Sequence, residues 1–125
     1  MSLVLDAGAF LAIERNDREL VALIRAELLE GRVPVTHGAI VGEIWRSGSR
    51  QARVARLLRS CDIVPLDESL GRDAGSLLGR SATDDVADAA LVCITRDGDT
   101  LMTSDPADIE WLSAVADIHV DIVSI

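Results

Sequence analysis

Residues 2–6 read SLVLD, a short apolar run that stops on an acid. A run of this length and composition reads as a buried strand, with Asp6 at its end. Working outward, the same form returns at Thr100 to Ser104, followed by Asp105. Val33 to Thr36, Ile63 to Leu66 and Ile118 to Val123 give three more short apolar strands, and Pro65 suits an edge position for the second of these. Helical patterns fill the intervals. One starts near Gly8. Another runs from a cap at Asn16 or Asp17 to a stop at Gly31, with Leu20, Val21, Ile24 and Leu28 at helical spacing. Further helices are expected over Ala39 to Arg46, Ser49 to Arg59, Glu68 to Leu78, Asp84 to Thr95 and Asp108 to Val115. Apolar strands that alternate with helices imply a parallel sheet covered on both faces. The expected class is α/β, a three-layer sandwich around a central parallel sheet of about five strands. Ligands of such sheets bind outside the carboxyl ends of the strands.

The 125 residues predict one domain spanning 1–125. With 49% hydrophobic and 26% charged residues, the chain is neither a disordered tail nor a disulfide scaffold. No apolar run approaches the roughly 18–20 residues of a membrane span. The first residues, MSLVLDAGAF, lack the basic start and long apolar stretch of a signal peptide, so a cytoplasmic location is expected. Cys61 and Cys93 stand alone and read as reduced, buried thiols. His37 and His119 read as strand-packing or surface residues. Trp45 and Trp111 are candidate interface anchors, though core positions are the commoner use of tryptophan.

Charge carries more information. There are 21 acids against 12 bases, a formal net charge of −9, and every base is arginine. The absence of lysine excludes Schiff-base chemistry and a phosphate-binding lysine. The sign is unevenly spread: the stretch from Arg46 to Ser60 holds Arg46, Arg50, Arg53, Arg56 and Arg59 and no acid, so it is +5 and the remainder −14. These arginines could clamp phosphate groups or simply form a solvated face.

The acids sort onto the expected scaffold. Asp6 and Asp105 end two strands and project at the carboxyl edge. Asp85 and Asp88, three apart, share a helix face. Glu43 interrupts the apolar stretch GAIVGEIW, where a buried charge needs a partner. Asp84 and Asp85 can each be a helix cap, with Asp84 preferred in that role; Asp105 before Pro106 can be a turn residue, and Asp108 the cap of the next helix. Two carboxylates about 5 Å apart repel by about 3 kcal/mol at an effective dielectric near 20. A converging set therefore calls for a hard divalent cation, Mg²⁺ or Mn²⁺, rather than zinc.

Four pieces, LVLDAGAFLA, VGEIWR, DDVADAALV and TLMTSDPADI, occur in that order over nearly the whole chain. Together they resemble a PIN-domain ribonuclease, specifically the VapC-type toxin of a VapBC toxin–antitoxin pair. The resemblance implies a PIN-like sandwich and Mg²⁺- or Mn²⁺-dependent hydrolysis of RNA. It puts the metal-binding and catalytic role on Asp6, Glu43, Asp88 and Asp105, with Asp85 an additional ligand, and places the hydroxyl of Thr103 or Ser104 beside them. Arg46, Arg50 and Arg53 would touch RNA or a partner. The resemblance further implies a cognate antitoxin that covers the acidic cleft, and homodimers. One departure is plain: the family usually carries Ser or Thr directly after the first Asp, whereas this chain has Ala7 and Gly8, which predicts a weaker metal site. That departure makes a catalytically inactive binding module with the same fold the alternative. A phosphotransfer domain ranks far lower, since strand one ends on a lone acid and the chain has no lysine.

Overall fold

Asp6, Asp17, Asp67 and Asp85 each precede a helix with an extended backbone and accept a first-turn amide N–H through the side chain, which sets where four helices begin. A computed structural model describes residues 1–125. Its elements are β1 (Leu3–Leu5), α1 (Ala7–Glu14), α2 (Arg18–Leu29), β2 (Val35–His37), α3 (Gly38–Ile44), a 3₁₀ turn (Ser49–Gln51), α4 (Ala52–Arg59), β3 (Asp62–Val64), α5 (Glu68–Ser81), α6 (Val86–Cys93), β4 (Thr100–Thr103), α7 (Pro106–Ala116) and β5 (Asp121–Ser124). All strands are parallel, in the order β3-β2-β1-β4-β5. The expected α/β class, the parallel sheet and its five strands are all present.

Helix α1 touches α2, α3 and α4, while α5, α6 and α7 touch one another. Every residue of β1 is buried, so the two helix groups cover opposite faces. Phe10, Leu5, Ile40, Leu91, Leu101 and Ile109 are among the side chains that fill the core. The chain leaves β1 toward β2 on one side and returns through β4 on the other. The strand order thus reverses between β1 and β4, and a crevice opens at their carboxyl ends.

The structure corrects several local expectations. Asp85, not Asp84, caps α6, accepting the Asp88 N–H at 3.0 Å. Helix α7 starts at Pro106 rather than Asp108, because a proline at the first helical position gives up an amide that has no partner there. The strands are not apolar throughout. Edge strands β3 and β5 expose Asp62, Ile63 and Asp121. Pro65 does follow an edge strand. Trp45 and Trp111 are 40% and 52% exposed, so neither is a core residue.

Candidate active site

The strand registers align one row of residues at the carboxyl edge. Leu5 pairs with Met102 and Val4 with Val35, so one step beyond β1 the neighbours of Asp6 are Thr103 and the position continued by His37. The centre of this row is polar and buried: Asp6 is 4% exposed, and His37 and Thr103 are fully covered. Burial of that kind requires hydrogen bonds, and the row has them. Asp6 Oδ1 accepts the Ala7 N–H at 2.7 Å and Oδ2 accepts the Thr103 hydroxyl at 2.7 Å. The same Thr103 oxygen accepts the Asp105 N–H at 2.9 Å, tying the two strand ends together. The hydroxyl that Ala7 cannot offer Asp6 is therefore supplied by Thr103 on the adjacent strand. Ser104 is exposed and makes no such bond.

The remaining acids surround this row. Asp88 is 8% exposed on the first turn of α6. Burial, then the charges of Asp85, Asp6, Asp105 and Asp108, push its carboxyl up to about 7. Glu43 is exposed on α3, because Ile40 and Ile44 take the buried face and leave it to the rim. It is not the sealed charge that its apolar neighbours in sequence suggest. Partial desolvation, followed by Asp6, Asp85 and Asp105, still raises its carboxyl above the ordinary range. Asp85 and Asp105 are exposed. Five carboxylates from four segments thus act on one another across a single rim, toward which α1, α6 and α7 present their N-termini. Helix N-termini carry partial positive charge that favours anionic side chains.

No arginine forms an ion pair with a rim carboxylate. The chain has two ion pairs, Glu27–Arg32 at 2.8 Å and Glu68–Arg72 at 3.2 Å, and neither touches it. The donor set therefore suits a hard divalent cation: several carboxylate oxygens, no thiol, mutual repulsion and no internal counter-charge. As placed, no three His, Cys, Asp or Glu side chains form a ready-made cage for an ion.

Beside Glu43 the sign changes. Arg46 donates to the Gly42 and Trp45 carbonyls at 3.1 and 2.7 Å, closing the end of α3. A groove runs from Glu43 past Arg46 to Arg50, then along Arg53 and Arg56. It continues into an apolar trench of about 290 Å³ floored by Ile13, Val21, Ile24 and Leu57 and edged by Arg25, Arg53 and Arg56.

His37 is the residue that sequence reasoning missed. It is fully buried behind Asp6, and burial holds its imidazole below the ordinary value, against smaller opposing effects from the Ala87 carbonyl and Asp6. The signal was available: a polar residue ending a strand at the level of Asp6.

No family model and no curated protein matches the sequence. Among solved structures, the crystal structure of VapBC2 from Rickettsia felis bound to a DNA fragment from their promoter contains a chain with the same fold. The superposition covers 99% of this chain and 100% of that chain, with a TM-score of 0.72 and 10% sequence identity. The protein thus has the PIN-like fold that its sequence motifs imply.

Proposed function

We propose that this chain is a Mg²⁺- or Mn²⁺-dependent ribonuclease toxin of the VapC type, held inactive by a cognate antitoxin. The observation that carries the reading is the set of five mutually repelling carboxylates at the strand-order reversal, with no arginine of the chain paired to them. Asp6, Asp88 and Asp105 would hold the cation, Asp85 would join them, and Glu43 would complete the site. Bound there, a divalent cation would polarise a phosphoryl oxygen and lower the pKa of a coordinated water. Thr103 fixes the rotamer of Asp6 by donating to Oδ2, so this carboxylate needs little reordering to act as a ligand. The raised carboxyl of Glu43, exposed at the rim, is suited to take the proton from the attacking water. Arg46, Arg50 and Arg53 would grip the RNA backbone beyond the scissile phosphate.

The fold of the VapBC2 chain supports an antitoxin partner. The trench between α1, α2 and α4, apolar in its floor and basic at its edges, fits a partner segment bearing apolar and acidic side chains, and a partner arginine would neutralise the carboxylate rim. Homodimers belong to the same reading, with exposed Trp45 and Trp111 as candidate anchors.

The test is cleavage of a panel of structured RNAs in Mg²⁺ by the unaltered chain and by Asp6→Asn. A loss of at least roughly 100-fold is expected for the variant, together with complete suppression of the unaltered chain by EDTA. Equal activity in both, or activity that survives the chelator, refutes the metal mechanism. A non-catalytic binding module with the same fold is favoured by one observation, the lack of three carboxylates already in ligating positions. Thermal unfolding across a Mn²⁺ titration separates the two, because a ligand of the native state raises the midpoint with its concentration.

A further inference from the structure

The two helices that carry Glu43 and Asp88 follow different elements, α3 after β2 and α6 after α5, and one buried side chain connects them. His37 ends β2, and its Nδ1 accepts the N–H of Ala39 at 3.2 Å, which caps α3. An acceptor at Nδ1 places the ring proton on Nε2. That proton is donated to the Ala87 carbonyl at 2.9 Å, one residue before Asp88 and two after Asp85. A single neutral tautomer satisfies both bonds. No other side-chain hydrogen bond joins β2 or α3 to α6.

We propose that His37 is a positioning residue that holds the Glu43 helix and the Asp85–Asp88 turn in register, so that their carboxylates can serve one cation together. This rests on the metal-dependent reading above. The ring touches neither cation nor substrate; it acts through two backbone groups. It also lies behind Asp6 in the central row, where no solvent competes for either bond. The imidazole reaches two helices because its two nitrogens point about opposite ways from one rigid ring. Thr103 also donates and accepts in this row, but it links β1 to the turn after β4 and reaches neither α3 nor α6.

Two substitutions separate the roles of the ring. In His37→Asn the carboxamide ends where Nδ1 stood, so the cap of α3 is kept while nothing reaches Ala87. In His37→Gln the terminal amide lies as many bonds from Cβ as Nε2 does, so the link to α6 is kept and the cap is lost. Mn²⁺ affinity, measured by titration calorimetry on the full chain, should fall at least about tenfold in His37→Asn and stay within about threefold in His37→Gln, the range expected of groups behind a metal ligand. In metal-free protein the Asp88 and Ala89 amides should exchange with solvent about tenfold faster in His37→Asn only, as local opening of the first turn becomes easier. Leu3→Ala, a core truncation at the amino end of β1, opposite the rim, serves as the control for general destabilisation and should leave Mn²⁺ affinity unchanged. Equal affinities and equal exchange in the unaltered chain and His37→Asn overturn the proposal. So does the reverse ranking of the two variants. If the unaltered chain binds no Mn²⁺, the metal reading fails instead, and amide exchange alone then decides whether His37 ties the helices.

Discussion

The carboxylate rim and helix α4 are neighbours of opposite sign that leave each other alone. Asp6, Glu43, Asp85, Asp88 and Asp105 have no arginine partner, while Arg50, Arg53, Arg56 and Arg59 have no acid partner. In a chain with 21 acids and 12 arginines, only two pairs form, both elsewhere. Pairing the two regions would relieve repulsion at the rim. Keeping them apart leaves each with a charge that something outside the chain must answer: a cation at the rim, a polyanion or an acidic segment along α4. Charge separation of this kind costs stability and preserves binding capacity.

The contrast breaks most severely if a rim acid is made neutral. Asp88→Asn should abolish metal-dependent cleavage and yet stabilise the metal-free fold. The sign follows from linkage. The Asp88 carboxyl is raised in the folded chain to about 7, above its unfolded value near 3.9, so between those limits the unfolded state releases a proton that the folded state keeps. Its contribution to stability is intact below pH 4 and lost as pH rises through 7. The variant should therefore match the unaltered chain at pH 4 in urea unfolding and exceed it at pH 8.5. Because water reaches the rim, the gain is on the order of 1–2 kcal/mol, well under the full linkage value. Equal stability at both pH values would mean that neither burial nor the neighbouring acids raise the Asp88 carboxyl.

A smaller effect probes the other side. Removing Arg53 and Arg56 together should weaken single-stranded RNA binding about tenfold near 0.1 M salt and lower the slope of log affinity against log salt by about 1.4, roughly 0.7 for each phosphate no longer neutralised. Neither side chain is in an ion pair, so thermal stability and Mn²⁺ affinity should hardly move. Fluorescence anisotropy at four salt concentrations reads the slope. An unchanged slope assigns α4 to a partner protein or to solvent alone.

How far the sequence reveals these regions depends on the range of the forces involved. Asp6 and Asp105 were legible because each ends an apolar run, and the parallel order follows from the alternation of strands with helices. The +5 stretch needed only counting. Glu43 stands exposed beside the other acids rather than sealed among apolar residues: apolar neighbours in sequence are spread around a helix, and Ile40 and Ile44 alone take the inner face. Asp99 illustrates the limit most clearly. It is 4% exposed, as buried as Asp6, but lies at the other end of β4, where it accepts the Ser2 N–H at 2.7 Å and the Arg96 N–H at 2.8 Å. Backbone amides answer that carboxylate, whereas acids crowd Asp88. No local pattern tells the two apart, because the difference lies in partners far away in the chain. His37 escaped for the same reason, its partner being fifty residues on.

The spacing within the rim itself can be tested at Gly8, where the effect should be the smallest. A Cβ at this position would stand 2.8 Å from Ser104 Oγ, 3.0 Å from its Cβ and 3.2 Å from its backbone nitrogen. The hydroxyl can rotate away, but the other two atoms move only if the turn after β4 withdraws from α1. Gly8→Ala also gains about 0.5–1 kcal/mol of helix propensity, which offsets the crowding. Thermal stability should thus change by no more than a few degrees, while Asp6 and Asp105 separate slightly and Mn²⁺ affinity falls about threefold, below the loss usual for a group behind a metal ligand. Ser104→Gly in the same chain removes the obstructing side chain and should restore most of that affinity. A stabilised Gly8→Ala protein with unaltered Mn²⁺ binding would mean that the close approach of α1 to this turn does not govern the distance between the two strand-end acids.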